Sequence, residues 1–87
     1  MKACILYHPI SDHARVVEEY VTNFERQKGN VIELMSLETK DGADLATLYE
    51  IVNYPALLAI KKDGQLVKYW EGEPLPLMDE VAGYLTA

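Results

Sequence analysis

The segment Pro55-Ala56-Leu57-Leu58-Ala59-Ile60 constrains this chain more than any other, because it is apolar at odd and even positions alike. A strand with one face in water alternates polar and apolar residues; a strand without that alternation is covered on both faces. The fold must therefore place a layer above and a layer below this segment. Immediately downstream, Lys61-Lys62-Asp63-Gly64 sets Asp-Gly between two apolar runs, a strong hairpin signal, and Leu66 to Trp70 reads as the return strand. At the other end of the chain, Ala3 to Tyr7 is a short apolar run stopped by His8-Pro9. Its length and the proline favour a buried strand over a helix.

The covering layers are supplied by three helical patterns. Ser11 or Asp12 is placed to cap a helix in which Val17, Tyr20, Val21 and Phe24 follow i, i+3, i+4, i+7 spacing. Gly29 suits the left-handed residue that ends a helix, so the spacing predicts a helix over about 12–28. Val31 to Met35 reads as a second strand. Asp41-Gly42 reads as a turn, with Leu45, Leu48 and Val52 forming a helical stripe over about 43–51. After a loop from Glu71 to Pro76, Leu77, Val81, Tyr84 and Leu85 mark a C-terminal helix. The predicted order is β-α-β-α-β-β-α. A strand, crossover helix and strand make a parallel, right-handed unit, and the Asp63-Gly64 hairpin is antiparallel. A mixed four-stranded α/β sheet with helices on both faces satisfies both, with residues 1–87 expected as one domain.

Charge narrows the partners. The net charge is −6, and residues 31–87 carry ten acidic side chains against four basic ones. Phosphate backbones and anionic membranes need a face rich in Lys and Arg, so neither is an expected partner. No apolar run approaches the roughly 20 residues that span a bilayer. The N-terminal run is too short for a signal peptide and reads as strand. The single cysteine, Cys4, makes no intrachain disulfide and no zinc site alone. A cytoplasmic protein, monomeric or weakly dimeric, without cofactor or metal, is the expectation.

The element order and length make the chain similar to the thioredoxin-like family, and to small glutaredoxins in particular. The first strand runs into a loop that opens helix one, where that family carries Cys-x-x-Cys. Tyr54-Pro55 precedes the central strand, where the family carries a cis-proline facing its active site. Gly72 follows the hairpin, where glutaredoxins carry glycines before the last helix. The resemblance implies a peptide-binding groove formed by Ser11, Asp12, His13, Ala14, Tyr54, Pro55 and Gly72. It also implies that the redox chemistry is absent, because Ser11-Asp12-His13-Ala14 stands where the cysteines belong. A serine hydroxyl forms no disulfide, and the family's reaction needs a thiolate at the helix N-terminus.

Three functional expectations follow. The first is a redox-inactive module holding a protein or peptide at the Tyr54-Pro55 groove, with no catalytic residue. The second is a glutathione-binding or glutathione-dependent protein using Ser11 and that groove. The third is a hydrolytic or metal-dependent enzyme at the His8–His13 loop, with Ser11 as nucleophile beside His13, or with His8, Asp12 and His13 as ligands. Against the third, the loop lacks a residue to orient the base, and it lacks a converging ligand set. Cys4 reads as core, since free cysteine is among the most buried residue types. Tyr69 and Trp70, adjacent on one strand, must point to opposite faces, one inward and one outward.

Overall fold

The computed structural model describes residues 1–86. The chain forms β1 (Lys2–Tyr7), α1 (Ala14–Lys28), β2 (Ile32–Ser36), α2 (Lys40–Leu48), β3 (Ala56–Ile60), β4 (Leu66–Glu71) and α3 (Met78–Leu85). The strands make one sheet in the order β2-β1-β3-β4. β1 pairs parallel with β2 and antiparallel with β3, and β3 pairs antiparallel with β4. All five residues of β3 are buried. It is a central strand, as its unbroken apolarity requires.

The sheet has an apolar layer on each side. Ala3, Ile5 and Tyr7 of β1 and Leu57 of β3 meet Val17 and Phe24 of α1 and Val81 of α3. The alternate residues, Cys4 and Leu6 of β1 with Leu58 and Ile60 of β3, meet Ala46 of α2 and Ile51. Burying side chains such as Phe24 and Val81 contributes roughly 1.5–3 kcal/mol each. Polar links fasten α3 to its neighbours. The Tyr20 hydroxyl donates to the Pro76 carbonyl at 2.8 Å, Lys28 pairs with Asp79, and Trp70 Nε1 donates to Glu80 Oε1 at 3.3 Å. Trp70 packs against the α1–α3 layer while Tyr69 remains 46% exposed, so the pair divides between the faces as alternation demands. At the hairpin, Gly64 donates to the Lys61 carbonyl and Lys61 to the Gln65 carbonyl, both at 2.9 Å. Among the described residues, no helix is long and apolar enough to cross a membrane.

α2 and α3 depart from the sequence-based expectation in the residues they turn to the sheet. α2 begins at Lys40, so Asp41 and Gly42 lie in its first turn and not in a turn before it. Thr39 caps the helix, its Oγ1 accepting from the Gly42 amide at 3.1 Å. The face turned to the sheet is Gly42, Leu45, Ala46 and Tyr49; Leu48 and Val52 are 67% and 75% exposed. Small residues at 42 and 46 let α2 lie close against the end of β2. A Cβ built on Gly42 would stand 2.0 Å from the Ser36 carbonyl oxygen. In α3 likewise, Leu77 is the exposed residue before the helix, and Met78, Val81, Ala82 and Leu85 form its inner face.

Gly42→Ala tests the close approach. Alanine favours a helix over glycine by about 1 kcal/mol, but displacing backbone at Ser36 costs roughly 2–3 kcal/mol. The variant is expected to unfold at lower urea concentration than the parent; a higher midpoint would refute the contact. Burial, and secondarily the charge of Glu33, pushes the Cys4 thiol up to about 11. Cys4 is therefore expected to resist iodoacetamide in the folded protein at pH 8 and to react once urea unfolds it. Burial, then Glu80, raises the Tyr20 phenol from 10.0 to about 12. The unfolded chain loses this proton first, so the associated stability is complete below pH 10 and is lost as the pH rises toward 12. Tyr20→Phe should flatten that alkaline loss in urea titrations.

Candidate functional site

Because β3 runs against both its neighbours, one end of the sheet collects the end of β1, the start of β3 and the end of β4. The registers Leu6↔Ala56 and Ala56↔Glu71 place them side by side. Three connecting segments emerge there: 8–13 leading into α1, 49–55 leading into β3, and 72–77 leaving β4.

The first segment closes on His8. The His8 amide donates to His13 Nε2 at 3.1 Å, and the Ser11 hydroxyl donates to the His8 carbonyl. Both backbone groups of His8 are thereby held, and Nε2 of His13 acts as an acceptor. Ser11 and His13 each engage His8 and not one another, which is not the arrangement of a nucleophile with its base. Ser11 does not cap α1 through its side chain either. The helix starts at Ala14 with His13 in the cap position and no side-chain capping bond, two residues later than the spacing predicted. The reason is local: the Ser11 hydroxyl turns back to the His8 carbonyl, three residues upstream. Among the described residues, no group of three His, Cys, Asp or Glu side chains is gathered as metal ligands, so His8, Asp12 and His13 do not converge.

The second segment carries Tyr54-Pro55, whose peptide bond is cis. The Tyr54 ring meets the His8 ring edge-on at 5.3 Å, and the His8 ring lies 6.1 Å from that of His13. His8 thus joins the helix-opening loop to Tyr54, bringing the two halves of the expected groove together. The Tyr54 hydroxyl donates to the Ile51 carbonyl at 2.7 Å, bracing the loop from within. Among the described residues, no hydrogen bond from this chain engages the backbone N–H or C=O of Tyr54. Pro55 and Ala14 are buried, Tyr54, His13 and Gly72 are half-buried, and Ser11 and Asp12 are exposed.

The third segment secures the second. Gly72, at φ 77°, donates its amide to the Pro55 carbonyl at 2.8 Å. That left-handed backbone favours glycine. Glu71 Oε2 accepts from the amides of Val52 and Asn53 at 3.3 and 3.2 Å. Sequence reasoning missed Glu71, because its partners lie 18 and 19 positions upstream and no local pattern links them. Three hollows of the surface lie elsewhere: along the outer side of α1, beside Lys61 and Lys62, and between α2 and β2. Tyr54 and Pro55 line none of these three hollows.

In sequence, the chain matches no family model and no curated protein. In structure, it is similar to thioredoxin 1 from the thermophilic eubacterium Thermosipho africanus TCF52B. The two superpose with a TM-score of 0.67 over 99% of this chain and 91% of that one, at 10% sequence identity. Likeness at so low an identity speaks to architecture alone, and the architecture is a thioredoxin-like fold.

Proposed function

We propose that this chain is a binding module that holds an extended peptide at Tyr54-Pro55 and performs no thiol–disulfide exchange. The observation that carries the reading is the backbone of Tyr54. Among the described residues, its N–H and C=O have no hydrogen-bond partner, and Tyr54 is half-buried where the first strand ends and β3 begins. An extended peptide supplies the complementary carbonyl and amide, the same main-chain pairing by which strands are added to sheets. Side chains of the peptide then fall against the rims formed by Ser11, Asp12, His13 and Gly72.

The absence of exchange chemistry rests on the thiol inventory. Residues 11–14 hold no cysteine, and Cys4 is 2% exposed with its thiol pushed up to about 11. The thiolate is the attacking species, and burial suppresses it.

The test has two parts. In the dithiothreitol-driven reduction of insulin, the protein is expected to leave the rate at the buffer value; acceleration lost in Cys4→Ala would overturn the redox part. In an NMR titration, a capped, uncharged, extended peptide is expected to shift the amides of Tyr54 and residues 11–14 saturably. Shifts absent there at millimolar peptide would overturn the binding part. Reduced glutathione, run in parallel, distinguishes a general peptide groove from a glutathione site.

A further inference from the structure

Resting on that peptide-binding reading, the chemical class of the peptide follows from the charges around Tyr54. We propose that the groove selects an extended segment that is both basic and apolar, and disfavours anionic peptides, glutathione included.

The three segments that meet at this end of the sheet carry charge of one sign. Across residues 8–14, 52–55 and 71–74 the charged side chains are Asp12, Glu71 and Glu73, with no Lys or Arg among them. All three carboxylates are exposed. Glu71 is fixed in place by the Val52 and Asn53 amides, which position its charge within the loop that leads to Tyr54. Glu73 adjoins Gly72, whose amide is bonded to the Pro55 carbonyl. Asp12 lies in the loop closed by the His8–His13 bond. The next basic residue in that direction, Arg15, is paired with Glu19 at 3.2 Å. Glu71 bonded to the Val52 and Asn53 amides, and Glu73 next to the Gly72–Pro55 bond, thus set negative charge beside the loop that carries Tyr54, and such surface charge acts over about a Debye length of 8 Å at physiological salt.

The apolar half of the specificity has its own observation. Ile10 is 87% exposed at the tip of the first loop, and Val52 is 75% exposed in the second. Each lies two positions along the chain from a partner in the His8–Tyr54 contact, so both loops that make the contact carry exposed apolar surface. A segment alternating cationic and aliphatic side chains meets both features. Glutathione, with two carboxylates against a single ammonium, meets neither.

The experiment uses three capped heptapeptides with Leu and Val at alternate positions and Lys, Gln or Glu at the rest, with reduced glutathione as a fourth probe. Each is titrated into the labelled full chain by NMR at low and at high salt. The expected order of affinity at Tyr54 is lysine, then glutamine, then glutamate peptide, with the spread shrinking as salt rises. Asp12→Asn and Glu73→Gln should each weaken the lysine peptide by roughly two- to fivefold more than they weaken the glutamine peptide. Equal affinity for all three peptides, with shifts at Tyr54, overturns the charge selection and leaves the peptide groove standing. Tighter binding of glutathione than of the lysine peptide overturns it as well. No shift at Tyr54 with any probe overturns both.

Discussion

The burial of β3 on both faces is the constraint from which the rest of the structure follows. Its five residues contribute Leu57 to one layer and Ala56, Leu58 and Ile60 to the other. Water reaches neither side, so both layers of helix are obligatory and the strand cannot lie at an edge. β1 on one side and β4 on the other satisfy its backbone. The same burial fixes register, because a slip of one residue would exchange the two sets of side chains between layers of different depth. α1 and α3 bring large residues to one face; α2, nine residues long and built on Gly42 and Ala46, lies close on the other.

Much of this is legible in residue order because the determining interactions are local or periodic. The unbroken run at 55–60, the Asp63-Gly64 turn and the Val17–Phe24 stripe each state their own conformation. The start of α2 is not legible in that way. Gly42 reads as a turn residue by propensity, and only the carbonyl of Ser36, 2.0 Å from where a Cβ would stand, shows that its lack of a side chain serves packing. Leu48 and Val52 fit helical spacing, yet the sheet face is taken by Gly42, Leu45, Ala46 and Tyr49. The cap of α1 fails for a related reason: serine hydroxyls bond to whichever backbone group lies nearest, and here that is the His8 carbonyl.

The site divides along the same line. Tyr54-Pro55 and residues 11–14 are recognisable by their position in the order of elements, and the fold brings them together through His8. The brace that holds them, Glu71 with Gly72, was invisible because it spans the length of a hairpin. Glu71 ends β4 and Gly72 follows it, so the geometry around Tyr54 is secured by a strand and its exit that come later in the chain. The loop before β3 is thus shaped from outside itself. Its own residues supply the Tyr54–Ile51 bond, the His8 ring meets Tyr54 from the first loop, and Glu71 and Gly72 bind it from later sequence.

The antiparallel course of β3 and β4 carries a practical consequence. The turn at Asp63-Gly64 and the segment at Tyr54-Pro55 lie at opposite ends of the same strand, and five residues of β-structure separate them by roughly 17 Å. Among the described residues, the hydrogen bonds of this exposed tip involve residues 61–65 and the Tyr49 hydroxyl. It is the natural point at which to graft a fluorophore, a tether or an inserted domain. Cargo placed there leaves Glu71 and Gly72 in register and the far end of the sheet open, which makes the hairpin a handle by which this domain can be held without being covered.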